Sequence, residues 1–115
     1  LDHSLPAQSG YTFRTRAILK AQQALGWEVE ALTSVRHPLP GPDREEVDRI
    51  VFHRTPPAPG GWPGIREWRE VRALAARVEA RIAAFAPDIV HAHSPVLTAL
   101  AAGPVARAHG IPFIY

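Results

Sequence analysis

The sequence predicts an α/β domain built on a parallel sheet with helices on both faces. Short β-type runs alternate with helical stretches, one long stretch has a single apolar face, and glycine or proline separates the segments. The chain has 115 residues, within the range of about 100–200 residues that usually builds one domain. An alternation of this kind is typical of a Rossmann-like fold.

The composition excludes several classes of protein. Hydrophobic residues make up 46% and charged residues 21%, as in ordinary soluble domains. The net charge is only +2 and the arginines are scattered, so we expect no nucleic-acid partner. No cysteine is present to bind a metal or act as a nucleophile. No apolar run approaches the ~20 residues of a membrane span, so the expected location is the cytoplasm.

The chain divides into predicted strands and helices in a regular order. Residues 1–3 resemble the end of a first strand whose start we expect to be lost. Strands two to five are predicted at residues 27–33, 49–53, 88–93 and 111–115. The first helix is expected to have Thr12 as its N-cap and to end at Gly26. Its predicted apolar face consists of Phe13, Ala17, Ala21, Ala24 and Leu25.

Two further helices are predicted in the second half of the chain. Apolar residues recur at spacings of three and four, which places them on one helical face: Trp68, Val71, Ala75, Val78, Ile82 and Phe85. Pro87 is expected to end this helix. The next helix follows Ser94-Pro95 and meets Gly103-Pro104, where a proline predicts a kink or break.

The loop after the first strand is the first candidate site. Ligands of open α/β sheets bind outside the carboxyl ends of the strands, and a helix N-terminus there favours phosphate. Gly10 lets the backbone approach such a ligand closely, with Ser9 beside it. A single glycine matches no phosphate-binding fingerprint, so Gly10 as a simple turn residue stays an alternative. Asp2-His3 at the end of the first strand would face the same cleft, or would be only a polar pair at a strand end. Arg14 is expected on the first helical turn, where it meets a phosphate or only solvent.

The second candidate site is His91-Ala92-His93, at the carboxyl end of strand four. Side chains two apart on a strand face the same side, so both imidazoles point the same way. Three interpretations stay open: a metal site, a substrate contact by His93 with His91 deeper in the sheet, or two structural histidines. The metal interpretation is weakened because no further carboxylate follows along the chain to complete a ligand set.

These two patches together resemble the N-terminal domain of bacterial family-4 glycosyltransferases. The first patch is residues 1–12 with Ser9-Gly10, followed by the Gly26-Trp27-Glu28-Val29 entry into strand two. The second is Pro87-Asp88-Ile89-Val90-His91-Ala92-His93-Ser94-Pro95, followed by Gly110-Ile111-Pro112. The resemblance covers essentially the whole chain. The first patch is most similar to a subgroup linked to exopolysaccharide synthesis in exosortase-bearing bacteria.

The resemblance implies a GT-B fold, in which two Rossmann-like domains enclose the active site. Such enzymes transfer sugar with retention from a nucleotide-sugar donor to a glycan or lipid-linked acceptor, usually without a metal or other cofactor. Residues 1–115 would be part of the N-terminal domain, with the donor-binding C-terminal domain absent and this fragment inactive alone. Peripheral membrane association of the parent enzyme is a further implication.

The resemblance also assigns roles to residues. Gly10 and Ser9 map onto the loop that approaches the donor diphosphate. His3 and Arg14, which the residue pattern places nearby, are expected as further donor or acceptor contacts. His93 maps onto the histidine that contacts the transferred sugar. Many relatives have two consecutive glycines where Ser9-Gly10 stands here, which weakens the predicted donor contact. Two alternatives stay open: a noncatalytic Rossmann-like binding module, and a metal-dependent hydrolase that uses His91 and His93.

Overall fold

The computed structural model of the chain describes residues 1–39, 41–57, 61–93 and 96–115. Three helices are present in these ranges: α1 (Gly10–Ala24), α2 (Ile65–Phe85) and α3 (Val96–Ala108). Five strands accompany them: β1 (Glu30–Thr33), β2 (Arg44–Val47), β3 (Ile50–Arg54), β4 (Val90–His91) and β5 (Phe113–Ile114). Ser94-Pro95, which the sequence places before the last helix, lies outside the described residues.

The strands form two sheets in place of the predicted single parallel sheet. The first sheet has the order β1-β3-β2, with β3 parallel to β1 and antiparallel to β2. The second sheet pairs β4 with β5 in parallel. The all-parallel prediction is therefore wrong at β2, which forms a hairpin with β3 through Asp48 and Arg49, both with positive φ. Two positive-φ residues are what a two-residue hairpin turn requires.

Helices cover both faces of β1, as the sequence predicts. Neighbouring residues of a strand point to opposite faces. Ala31 packs in a cluster with Leu19 of α1. Leu32 packs against the cluster that contains Val78 of α2 and Ala102 of α3. The first sheet is therefore enclosed between α1 on one side and α2 on the other.

A cleft of about 640 Å³ separates β1 from β4. Apolar side chains such as Leu32, Val78 and Val90 line it. Leu1 lies at its edge, where the Leu1 amino group donates to the Leu32 carbonyl and the Leu1 carbonyl accepts from the Ser34 N–H, both at 2.9 Å. Leu1 and Asp2 thus lie beside the end of β1, although residues 1–3 do not form a strand.

The helix ends follow local signals, with two corrections. Ser9, and not Thr12, is the N-cap of α1, and Thr12 is instead buried against the sheet. The left-handed residue Ala86 ends α2 just before Pro87. Helix α3 is continuous through Pro104, so the predicted break does not occur. No helix in the described part of the chain is long and apolar enough to cross a membrane.

Arg54 connects the first loop to the first sheet, and we expect its contacts to stabilise the fold. Its Nη2 donates to the Leu5 carbonyl and lies 3.2 Å from a Glu45 carboxylate oxygen, and its side chain is buried. We expect Arg54→Ala to lower the free energy of unfolding by about 2–4 kcal/mol, because it leaves a carboxylate and a carbonyl without their donor. Chemical denaturation measures this loss, with the exposed Arg44→Ala on β2 as control. Equal stability of the two variants would show that Arg54 contributes nothing.

Candidate functional site

Ser9 organises the start of α1. Its hydroxyl oxygen accepts from the Thr12 N–H at 3.0 Å and donates to the Thr12 Oγ1 at 3.0 Å. The His3 Nε2 lies 3.0 Å from the same hydroxyl. A capping serine of this kind satisfies one of the N–H groups that a helix start leaves without a partner. The cap therefore also holds the His3 imidazole at the N-terminus of α1, so the structure brings these two predicted residues together.

Gly10 is the first residue of α1, and neither its backbone nor its packing requires glycine. Its φ is not among the positive values of the chain. A Cβ built on Gly10 would have no described atom within 4 Å. Position 10 therefore places no steric demand for glycine on the fold, and the predicted ligand contact at Gly10 stays a prediction beside the alternative of a simple turn residue. The open space lies beside first-turn N–H groups, where an anion is favoured.

Tyr11 is a residue of this region that the sequence analysis missed. Its hydroxyl accepts from the Asp2 N–H at 3.0 Å, and its ring centroid lies 4.8 Å from that of His3. The exposed Arg14 guanidinium lies 5.7 Å from the centre of the tyrosine ring. Burial raises the pKa of Tyr11, which keeps the phenol neutral. The local sequence shows only a glycine followed by an aromatic residue at the helix start. It gives no sign of the contacts of Tyr11 with residues 2 and 3, which depend on the path of the first loop.

His91 and His93 point the same way, as strand alternation predicts. Their rings are stacked with centroids 4.2 Å apart and planes at 29°. His91 is exposed and His93 is half-buried, so His91 is not the deeper residue of the pair. The Thr98 hydroxyl of α3 donates to the His93 carbonyl, which fixes the end of the strand against the helix.

His93 is a neutral imidazole at physiological pH. Its pKa is lowered to about 4, mainly by burial and in addition by the neighbouring His91, the Leu1 amino group and Arg14. A neutral imidazole carries one donor and one acceptor nitrogen, which suits it to orient a hydroxyl-rich ligand.

The lowered pKa of His93 predicts how stability depends on pH. The unfolded chain protonates this histidine near pH 6.5, whereas the folded chain does so only near pH 4. The unfolded state therefore takes up the proton first, and the free energy of unfolding falls as the pH falls from 6.5 to 4. Above pH 6.5 this contribution is fully present. We expect His93→Gln to lose less stability than the wild type between pH 7 and pH 5 in urea denaturation. Equal losses in the two proteins would contradict the prediction.

A metal site at the two histidines finds no support in their surroundings. Among residues 1–39, 41–57, 61–93 and 96–115, no group of three or more histidine, cysteine, aspartate or glutamate side chains could hold a metal ion. The two stacked imidazoles therefore lack the further protein ligands that a zinc site uses.

Comparison with known proteins places the chain in a family. A sequence model described as "Glycosyl transferase 4-like domain" matches residues 9–115. No curated protein and no solved structure matched the chain. The matched range contains Ser9, Gly10, Arg14 and His93, whereas His3 lies before it. The chain belongs to the glycosyl transferase 4-like domain family.

Proposed function

We propose that the parent protein transfers a sugar from a nucleotide-sugar donor to a glycan or lipid-linked acceptor, with retention of configuration. The observations that support the proposal are the open space beside Gly10 at the start of α1 and the half-buried, neutral His93 that follows β4, both within the range that the family model matches. Residues 1–115 would act as the N-terminal domain of a GT-B enzyme, with the donor-binding domain elsewhere in the protein. The proposed location is the cytoplasm, and the proposed setting is exopolysaccharide synthesis.

The departing diphosphate would lie at the N-terminus of α1. The backbone N–H groups of Gly10 and Tyr11 would donate to its oxygens, since Ser9 already accepts from the Thr12 N–H, and the helix dipole would favour its negative charge. Fixed donors aimed at charge that develops in the transition state supply much of an enzyme's rate enhancement. Arg14 would add a cationic group one turn along the helix. Its contact with the Tyr11 ring restrains its side chain near the site.

His93 would orient the donor sugar. Its imidazole is neutral, so it would hydrogen-bond a sugar hydroxyl without placing a cation beside the developing oxocarbenium ion. His3 would act through Ser9, since its Nε2 contacts the Ser9 hydroxyl that caps α1. In this arrangement His93 contacts substrate and His3 is a positioning residue.

The proposal is tested by assaying the full-length protein against a panel of nucleotide sugars and acceptors. We expect one donor class to release nucleoside diphosphate in an acceptor-dependent reaction. Proton NMR of the product should show the anomeric configuration of the donor. A folded protein that releases no nucleoside diphosphate with any donor would overturn the proposal, and an inverted product would overturn retention.

A further inference from the structure

A second groove lies on the far side of α2 from the β4 histidines. Its volume is about 580 Å³, and it runs between Thr55–Pro57 and one face of the helix. The Thr55 hydroxyl donates to the Thr33 carbonyl at 2.7 Å. The groove therefore opens at the carboxyl ends of β1 and β3, the edge of a parallel sheet where ligands bind.

Among the described residues, three arginines and no acidic residue line this groove. Arg69 and Arg72 are exposed on α2, and Arg77 lies deeper. Arg72 and Arg77 have no carboxylate within ion-pair distance among the described residues. The buried Nε of Arg77 has no hydrogen-bond partner in the same part of the chain. The guanidinium groups of Arg72 and Arg77, which have no described carboxylate beside them, favour an anion in this concave site, and their planar fork fits phosphate oxygens.

Apolar surface adjoins these charges. Trp68 is 57% exposed and Trp62 is 79% exposed, and Ile65 lies between them at the start of α2. The Arg72 guanidinium lies 5.0 Å from the centre of the Trp68 ring. A ligand that fits both surfaces carries phosphate and a hydrocarbon chain, because exposed tryptophan with basic residues is typical of contact with lipid.

We propose that this groove binds the diphosphate of a lipid-linked acceptor, with the lipid against Trp68. The role of this ligand as acceptor rests on the function proposed above. The arginines would hold the diphosphate, and the acceptor sugar would extend along the carboxyl edge of the sheet toward His93.

Calorimetric titration of the full-length protein without donor tests the proposal. The probes are inorganic diphosphate and geranyl diphosphate. We expect Arg72→Gln to weaken geranyl diphosphate binding about tenfold, the effect of losing one charge-assisted hydrogen bond. Ala76→Glu places a carboxylate in the groove at an exposed position without removing an existing polar contact, and should have a similar effect. Arg107→Gln removes an exposed arginine from α3 and should bind as the wild type.

The outcomes separate this proposal from the proposed function. If Arg72→Gln and Ala76→Glu both bound geranyl diphosphate as tightly as the wild type, the proposed diphosphate site in this groove would be wrong, even in a protein that transfers sugar. Binding that depends on Arg72 in a protein without transferase activity would retain the diphosphate site and overturn its role as an acceptor site. Arg72-dependent binding of phosphatidylglycerol vesicles, without binding of geranyl diphosphate, would assign the groove to a membrane surface instead.

Discussion

Replacing His93 by alanine is expected to lower kcat/KM for sugar transfer about a hundredfold. The variant loses one hydrogen bond that the neutral imidazole would make to the donor sugar in the transition state, and losses of that size are typical of a single positioned group. The fold should survive, because the Thr98 hydroxyl contacts the backbone carbonyl of His93 and not its ring. Initial rates measured at several donor concentrations give kcat and KM separately.

His91→Ala is the matched control for His93→Ala. It removes the other ring of the stacked pair, which is exposed and has no proposed substrate contact. We expect less than about a fivefold change in kcat/KM, since only packing against His93 is lost. A larger effect at His91 than at His93 would reverse the assignment of the two residues. Equal small effects would remove both of them from the reaction.

The sequence pattern predicts the long helix of this fold better than the helix at the site. The apolar residues of α2 recur at helical spacing, and Val78 and Ile82 are buried, although Trp68, which the spacing places on the same face, is 57% exposed. In α1 the predicted face is wrong: Phe13 is 54% exposed, whereas Thr12 and Thr15 are fully buried. The Thr15 hydroxyl donates to the Thr12 carbonyl at 3.1 Å, so these threonines pack without an unsatisfied polar group. A pattern of hydrophobic residues does not identify a buried position that is occupied by a polar side chain with a hydrogen-bond partner nearby in the chain.

The sequence pattern did not predict the hairpin of β2 and β3, for a different reason. Its turn residues are Asp48 and Arg49, although two-residue hairpin turns are usually recognised by a glycine. Four polar contacts of Asp48, with Arg16 and Lys20, join this turn to α1. These contacts join residues about thirty positions apart, so local sequence contains no sign of them.

The candidate site was predictable in its parts but not in its assembly. The glycine at a helix start and the paired histidines at a strand end are both local patterns. The capping of α1 by Ser9 and the contact of Ser9 with His3 are set by the path of the first loop. The groove of Arg72 and Arg77 depends on the loop after β3 lying against α2, which no spacing along the chain indicates.

Replacing Gly10 by alanine is expected to separate stability from activity. Alanine is favoured over glycine in a helix by about 0.5–1 kcal/mol, and a Cβ at position 10 has open space around it. The free energy of unfolding should therefore stay constant or rise slightly. The same methyl group would occupy the space proposed for the donor diphosphate. A misplacement of about 1 Å there costs up to about a hundredfold in rate, so kcat/KM should fall strongly.

Gly26→Ala provides the opposite result at the other end of α1. Gly26 has a φ of +89°, a conformation that alanine adopts only at a cost, and it lies far along the helix from the proposed diphosphate. We expect this variant to lose about 1 kcal/mol of stability and to keep its kcat/KM. Urea denaturation and initial-rate assays on both variants test this contrast: Gly10→Ala should lose activity and keep its stability, and Gly26→Ala should lose stability and keep its activity. If Gly10→Ala retained full activity, the space beside Gly10 would not be the donor site, because a ligand that close to the backbone could not tolerate the added carbon.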